Sequence, residues 1–204
     1  MSRYDASGPE GAYEPGSDGL VLANKLGITS PEEMDELELV LLEELYETVL
    51  GEELPERQLF VADLKRWHGQ WLGNVYPWAG KERSVNLSKG DFHFAVASQI
   101  PRLLSQFEKE CLERFTPCEG LDRAALTEAI AITHVELILI HPFREGNGRL
   151  ARLLADVMAV QAGFEPLDYS TWDADKAGYF AAIQQGLAGE YCPMIALVDE
   201  ALTN

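Results

Sequence analysis

Apolar positions recur along most of this chain with a helical period. Ser30-Pro31-Glu32-Glu33 supplies a capping hydroxyl, a proline at the first helical position and acids beside the positive end of the dipole. Leu37, Leu41 and Leu45 then repeat every four residues, with Val40 beside them. A second helix is predicted from Pro55 to about Leu72, with Phe60, Leu64, Trp67 and Trp71 on one face. A third carries Ile100, Leu103, Leu104 and Phe107 at helical spacing and is broken at 116–121. The segment from Leu121 to Ile140 becomes apolar on most sides, the mark of a central buried helix. His141-Pro142 stops it, because the residue before a proline is pushed out of the helical region. Another helix begins near Asn147, carries Leu150, Leu153, Leu154, Val157 and Met158 on one stripe, and ends at Ala162-Gly163. One or two more cover roughly 173–187 and 193–202.

Two stretches depart from this period. After the turn-rich run Asn74 to Gly80, Arg83-Ser84-Val85-Asn86-Leu87-Ser88 alternates polar and apolar. Lys89-Gly90-Asp91 makes a turn, and Phe92-His93-Phe94 resumes the alternation, which predicts a short β-hairpin. Residues 1–19, rich in Gly, Pro, Ser and Asp, read as an irregular arm ahead of a single domain over 20–204. The expected fold class is all-α, a helical bundle with one small hairpin.

Composition narrows the function classes. The chain has 204 residues, enough for one domain with its own core. Sixteen basic residues against 34 acidic ones give a formal charge of -18. Such a surface repels phosphate backbones and anionic lipid, so nucleic-acid and membrane partners are not expected. No run approaches 18 apolar residues, and the first residues lack the apolar core of a signal peptide. A cytoplasmic location is expected, with Cys111, Cys118 and Cys192 as reduced thiols.

The chemistry concentrates in residues 141–152, HPFREGNGRLAR. A helix end delivers His141 into a loop, and the loop closes on Gly146-Asn147-Gly148 where the next helix starts. Glycines permit positive φ and close approach of a ligand, and the free N–H groups of a new helix attract anions. Arg149 and Arg152 share a helical face, opposite the leucine stripe. Two guanidiniums with backbone amides suit a polyphosphate. Glu145 offers one carboxylate oxygen to a Mg²⁺ that would take the rest of its ligands from phosphates. His141 is placed as a general base. Taken singly, such a histidine is commonly a cap, a Gly-Asn-Gly a turn and an arginine pair solvated. Their occurrence together at a helix–loop–helix junction points instead to attack by a hydroxyl on a nucleotide phosphorus.

This segment resembles the signature of the Fic (filamentation induced by cAMP) family, His-x-Phe-x-Asp/Glu-Gly-Asn-Gly-Arg-x-x-Arg. His141, Phe143, Glu145, Gly146, Asn147, Gly148, Arg149 and Arg152 fill every fixed position, with Glu in place of the commoner Asp. Tyr76-Pro77-Trp78-Ala79-Gly80-Lys81 and the hairpin through Ser88-Lys89-Gly90 look like the family's flap. Leu22 to Ile28 is also similar to bacterial members. The resemblance spans roughly 20–200 and implies a helical bundle whose central helix–loop–helix holds the active site.

The resemblance implies transfer of AMP from ATP to a Ser, Thr or Tyr hydroxyl of a protein. His141 would deprotonate the hydroxyl and Glu145 would hold Mg²⁺. Gly146, Asn147 and Gly148 would stabilise phosphate charge, with Asn147 ordering the loop, and Phe143 would anchor it. Arg149 and Arg152 would grip the β- and γ-phosphates. Arg144 and the flap residues Lys89, Gly90, Asp91 and Phe92 would border the nucleotide. Tyr179 aligns loosely with an adenine-side residue, although a core aromatic suits it better. His68 and His134 are expected to be structural and His93 to lie on the hairpin surface. The flap would register the target by strand addition. Many members restrain themselves with a helix bearing Ser/Thr-x-x-x-Glu-Gly/Asn, and no such pattern occurs in this chain. The chain therefore resembles members held in check by a separate small antitoxin, some of which act on DNA gyrase or topoisomerase IV. Transfer of UMP or phosphocholine on the same fold, and a non-catalytic nucleotide-binding module, are the alternatives. Intact His141 and Glu145 speak against the module, and intact Gly148 and Arg149 against a kinase-like relative.

Overall fold

The computed structural model of the chain describes residues 5–6 and 9–203. Helix α1 spans Pro31–Tyr46, and its Ser30 cap accepts the Glu33 N–H as the sequence requires. It runs on through a wider turn over Glu47–Glu52. Helix α2 spans Val61–Leu72. It starts six residues later than its apolar face suggests, because Asp63 accepts the Phe60 N–H and also pairs with Arg57, which fixes the chain as a cap. Phe60 is consequently 40% exposed and lies outside the face formed by Leu64, Trp67 and Trp71.

Helix α3 (Ile100–Phe107) is continued by a wide turn (Glu108–Leu112) and a final turn α4 (Glu113–Phe115). Helix α5 (Arg123–Ile140), capped by the Asp122 side chain on the Ala125 N–H, is the buried centre of the molecule. It packs most extensively on α6 (Asn147–Gln161) and α9 (Cys192–Ala201). The predicted helix over 173–187 divides into α7 (Ser170–Ala174) and α8 (Lys176–Gln185), where Asp175 caps α8 through the Gly178 N–H. Trp67, Trp71 and Trp172 fill the core beside the leucines of α6, all at 2% exposure or less. Among the described residues no helix is long and apolar enough to cross a membrane.

The hairpin is present as β2 (Leu87–Lys89) and β3 (Phe92–His93), with Ser88 opposite His93 and Lys89 opposite Phe92. His93 is exposed, as expected. The arm departs from its irregular reading, because strand β1 (Asp5–Ala6) pairs antiparallel with β2 and makes a three-stranded sheet in the order β1, β2, β3. Two-residue strands of small and charged residues carry no alternation that a sequence pattern could reveal. Past β1 the arm stays on the domain. Glu10 takes the N–H and hydroxyl of Ser84, Tyr13 bridges Leu22, and the Asn24 N–H reaches Glu14.

Candidate functional site

The α5–α6 junction is held by buried contacts before any ligand is considered. His141 closes α5 in the left-handed region at φ 51°, an uncommon state for a residue with a Cβ. Arg83, itself 2% exposed, secures it by donating to the carbonyls of His141 (2.7 Å), Ile140 (3.3 Å), Val85 and Ala95 (2.6 Å). One guanidinium thereby ties the end of α5 to both sides of the hairpin. Within the loop, Asn147 Oδ1 accepts the Phe143 N–H at 2.8 Å and its Nδ2 donates to the Phe143 carbonyl at 2.7 Å. Asn147 thus spans the loop with two hydrogen bonds. Phe143 is buried and stacks on His68 at 4.0 Å. Gly146 sits at φ 81°, and a Cβ there would lie 2.7 Å from the Trp71 ring, so only glycine fits.

His141 Nδ1 faces the Ile138 carbonyl at 3.1 Å and must carry the ring proton, so Nε2 is the lone-pair nitrogen. Burial pushes its pKa down to about 3. The ring is only 2% exposed and stacks at 3.7 Å on Phe94, where the hairpin crosses it. The imidazole is therefore neutral at physiological pH and able to accept a proton.

A cavity of about 300 Å³ opens beside the loop. Of the residues expected around a nucleotide, it is lined by Lys89, Glu145, Gly146, Gly148, Arg149, Arg152 and Tyr179. Gly148 has open space where a Cβ would project. The Arg149 guanidinium lies 4.5 Å over the Trp71 ring and meets Glu38 at 2.7 Å and Glu145 at 3.6 Å. Among the described residues its Nη2, the atom that faces Glu145, is buried with no partner at hydrogen-bond distance. Arg152 lies 4.6 Å over Tyr169 and meets Asp173 at 2.7 Å. Open room at Gly148, an unsatisfied guanidinium nitrogen and the first amides of α6 fit an anionic ligand here. Among the described residues no three His, Cys, Asp or Glu converge as a metal site. Glu145 would hold Mg²⁺ only together with oxygens of that ligand.

Gly90, Asp91, Phe92, Arg144, Asn147 and His141 do not line this cavity. Arg144 turns to the arm and donates to the Glu10 carbonyl at 2.8 Å. Phe92 meets Phe94 edge-on within the hairpin cluster. Tyr179 is a core aromatic at the cavity wall, its ring stacked on Trp172 and its hydroxyl on His134.

Several residues escape a sequence reading. Trp172, Asp173, Lys176 and Phe180 complete the cavity wall, and Lys89 reaches across from the hairpin to within 3.8 Å of the Phe180 ring. Trp172, Lys176 and Phe180 are spaced by four, a usable signal masked by the break at Asp175. Glu38 is a buried acid that also takes the Tyr76 hydroxyl at 2.7 Å. Its signal is an acid placed between Met34 and Leu45 on the buried face of α1. His68 does more than fill space. Its Nδ1 accepts the Gly80 N–H at 2.8 Å, so Nε2 carries the proton and donates to the Glu145 carbonyl at 3.0 Å.

Comparison with known proteins agrees with this geometry. The model of the Fic/DOC family matches residues 58–159. The chain is 29% identical over 196 residues to the probable protein adenylyltransferase y4lH of Sinorhizobium fredii, covering 96% of this chain and 97% of that one. It is 31% identical over 202 residues to protein adenylyltransferase VbhT of Bartonella schoenbuchensis, covering 96% of this chain and 40% of that protein. The crystal structure of BepC from Bartonella tribocorum with bound AMPPNP superposes with a TM-score of 0.73 at 25% identity, over 89% of this chain and 92% of that one. A buried His-loop-Arg junction, the flap above it and these likenesses together place the chain in the Fic/DOC family.

Proposed function

We propose that this chain transfers AMP from ATP to a Ser, Thr or Tyr hydroxyl of a target protein. The observation that carries the reading is the pinned tautomer of His141, which leaves a neutral Nε2 at the head of a glycine-rich loop that carries two arginines. The target hydroxyl attacks the α-phosphorus while its proton passes to His141 Nε2. The bond from the α-phosphorus to the bridging oxygen breaks, and pyrophosphate leaves. Arg149 and Arg152 hold the β- and γ-phosphates, and the amides that open α6 face the developing charge. Mg²⁺ held by Glu145 would neutralise the leaving pyrophosphate. Asn147, His68 and Arg83 keep the loop in register, the last two through backbone carbonyls.

The target strand adds to the flap. β2 is already paired on both sides, so an incoming strand meets the outer edge of β3 or takes the place of β1. We further read the chain as the toxin of a toxin–antitoxin pair, with DNA gyrase and topoisomerase IV as the first targets to test. Two features support an antitoxin partner. The chain lacks the Ser/Thr-x-x-x-Glu-Gly/Asn pattern, and a cleft lined by Leu42, Tyr46, Arg149, Arg152 and Tyr169 lies open between α1 and α6. A helix seated there would bring a glutamate to Arg152.

The test is incubation with α-labelled or γ-labelled ATP and a cell lysate. Label from the α-position alone is expected on a protein band, and His141→Ala should lose it by about 10²–10⁴-fold. Label from the γ-position alone, or full activity in the variant, overturns the reading. Expression of the chain alone should arrest growth, and coexpression with a small protein that carries the Ser/Thr-x-x-x-Glu-Gly/Asn helix should restore it. Equal growth in both cases sinks the toxin role.

A further inference from the structure

Each arginine of the loop already carries a carboxylate, and the two pairs differ in what opening them requires. Arg149 meets Glu38, whose side chain is 5% exposed and which also holds the Tyr76 hydroxyl. Freeing Arg149 would strand a buried acid, so Nη1 keeps Glu38 and Arg149 would offer a phosphate only its Nη2. Arg152 meets Asp173 through both guanidinium nitrogens, at 2.7 and 3.2 Å. The Asp173 side chain is 53% exposed and sits on the short helix α7, where water can replace the arginine at little cost. Arg152, Asp173 and Lys176 all border the same cavity.

We propose that Asp173 is a resident counter-ligand of Arg152, which a nucleotide triphosphate must displace to bind. It thereby sets the affinity of the site for donors that carry a γ-phosphate. The inference rests on the reading above that Arg152 takes the end of the phosphate chain. A guanidinium fork presents one bidentate face to one oxyanion at a time, so carboxylate and phosphate compete for it. A phosphate arriving at Arg152 also sets like charges side by side until Asp173 turns away. Lys176, three residues on, is the other cation whose charge acts on Asp173. AMP ends at the α-phosphate, does not reach Arg152 and leaves the pair closed.

The experiment is equilibrium titration of the full chain with ATP and with AMP, in Mg²⁺, for the wild type and for Asp173→Asn. The substitution keeps size and shape at an exposed position and removes only the charge. ATP should bind roughly two- to fivefold more tightly to the variant, the range expected of a half-exposed ion pair, and AMP affinity should not change. In an Arg152→Ala background the same substitution should give no gain. Unchanged or weaker ATP binding overturns the inference, as does an equal gain for AMP or a gain that survives without Arg152. Failure of both proteins to bind ATP sinks the proposed function and this inference with it. Tight ATP binding without the gain sinks this inference alone.

Discussion

The loop and the flap face each other across one cavity and are built in opposite ways. In the loop the backbone is held by buried hydrogen bonds and close packing. Asn147 spans Phe143 with two hydrogen bonds, His68 joins Gly80 to Glu145, and Gly146 lies against Trp71. The flap consists of strands of two or three residues above a separate small cluster of Val85, Leu87 and Phe94. It is tied to the bundle at a few points, of which Arg83 is the strongest. Precise geometry is thus invested where the proposed reaction positions phosphorus, and adjustable backbone where the proposed target chain would add. Buried groups cannot yield individually, because each unmade bond costs about 1–3 kcal/mol.

The largest way to break this contrast is acid. His68, His134 and His141 are at most 2% exposed, and burial holds their pKa values near 4, 4 and 3 against 6.5 in the unfolded chain. Each depressed value means that the unfolded state binds a proton more readily. The stability is present in full above pH 6.5 and is lost as pH falls toward 4. Lowering one pKa by 1 is worth about 1.4 kcal/mol, so three such groups amount to several kcal/mol. Asp156 opposes them, since burial raises its pKa to about 6 and protonation favours its folded form. Three groups outweigh one, so urea midpoints should fall steadily between pH 6.5 and 4. A flat profile over that window would show that the loop is less enclosed than its contacts indicate.

A smaller effect separates two glycines. Gly146 in the loop and Gly90 in the flap turn both have positive φ, at 81° and 57°. A Cβ on Gly146 strikes Trp71, whereas a Cβ on Gly90 meets nothing within 4 Å. Gly146→Ala should cost about 2–4 kcal/mol, combining overpacking with backbone strain. Gly90→Ala should cost about 1–2 kcal/mol, from the backbone alone. Thermal unfolding should place Gly146→Ala clearly lower, and equal losses would remove the distinction between the two regions.

The same contrast explains what is legible in the sequence. The helices of the bundle and the loop chemistry announce themselves through apolar period and the run from His141 to Arg152. The hairpin shows through the alternation around Lys89-Gly90-Asp91. The first turn of α2 is misleading because apolar Phe60 continues the stripe while Asp63, three residues on, sets the cap. Asp173 and the arm's strand leave no such trace, and Glu38 shows only as an acid on the buried face of α1. Glu38 finds Arg149, and β1 finds β2, more than 80 positions away in sequence, and Asp173 finds Arg152 on a different helix. Only folding brings these partners together, and a strand of two residues is too short to carry a pattern.

The smallest expected effect tests the flap's anchorage to the arm. Glu10 holds Ser84 by its carboxylate at 2.8 and 3.0 Å, and its carbonyl receives Arg144 of the loop at 2.8 Å. Glu10→Ala removes the first two bonds and keeps the third, which belongs to the backbone. Global stability should change by no more than about 0.5 kcal/mol, since the lost bonds are solvent-facing. Local opening should respond instead, because a segment with few buried contacts exchanges through small fluctuations. Amide hydrogen exchange should therefore quicken at Ser84 and along β2 while the amides of α5 stay protected. A fall in the global midpoint would make the arm part of the core, and unaltered exchange at Ser84 would mean that Arg83 alone holds the flap to the loop.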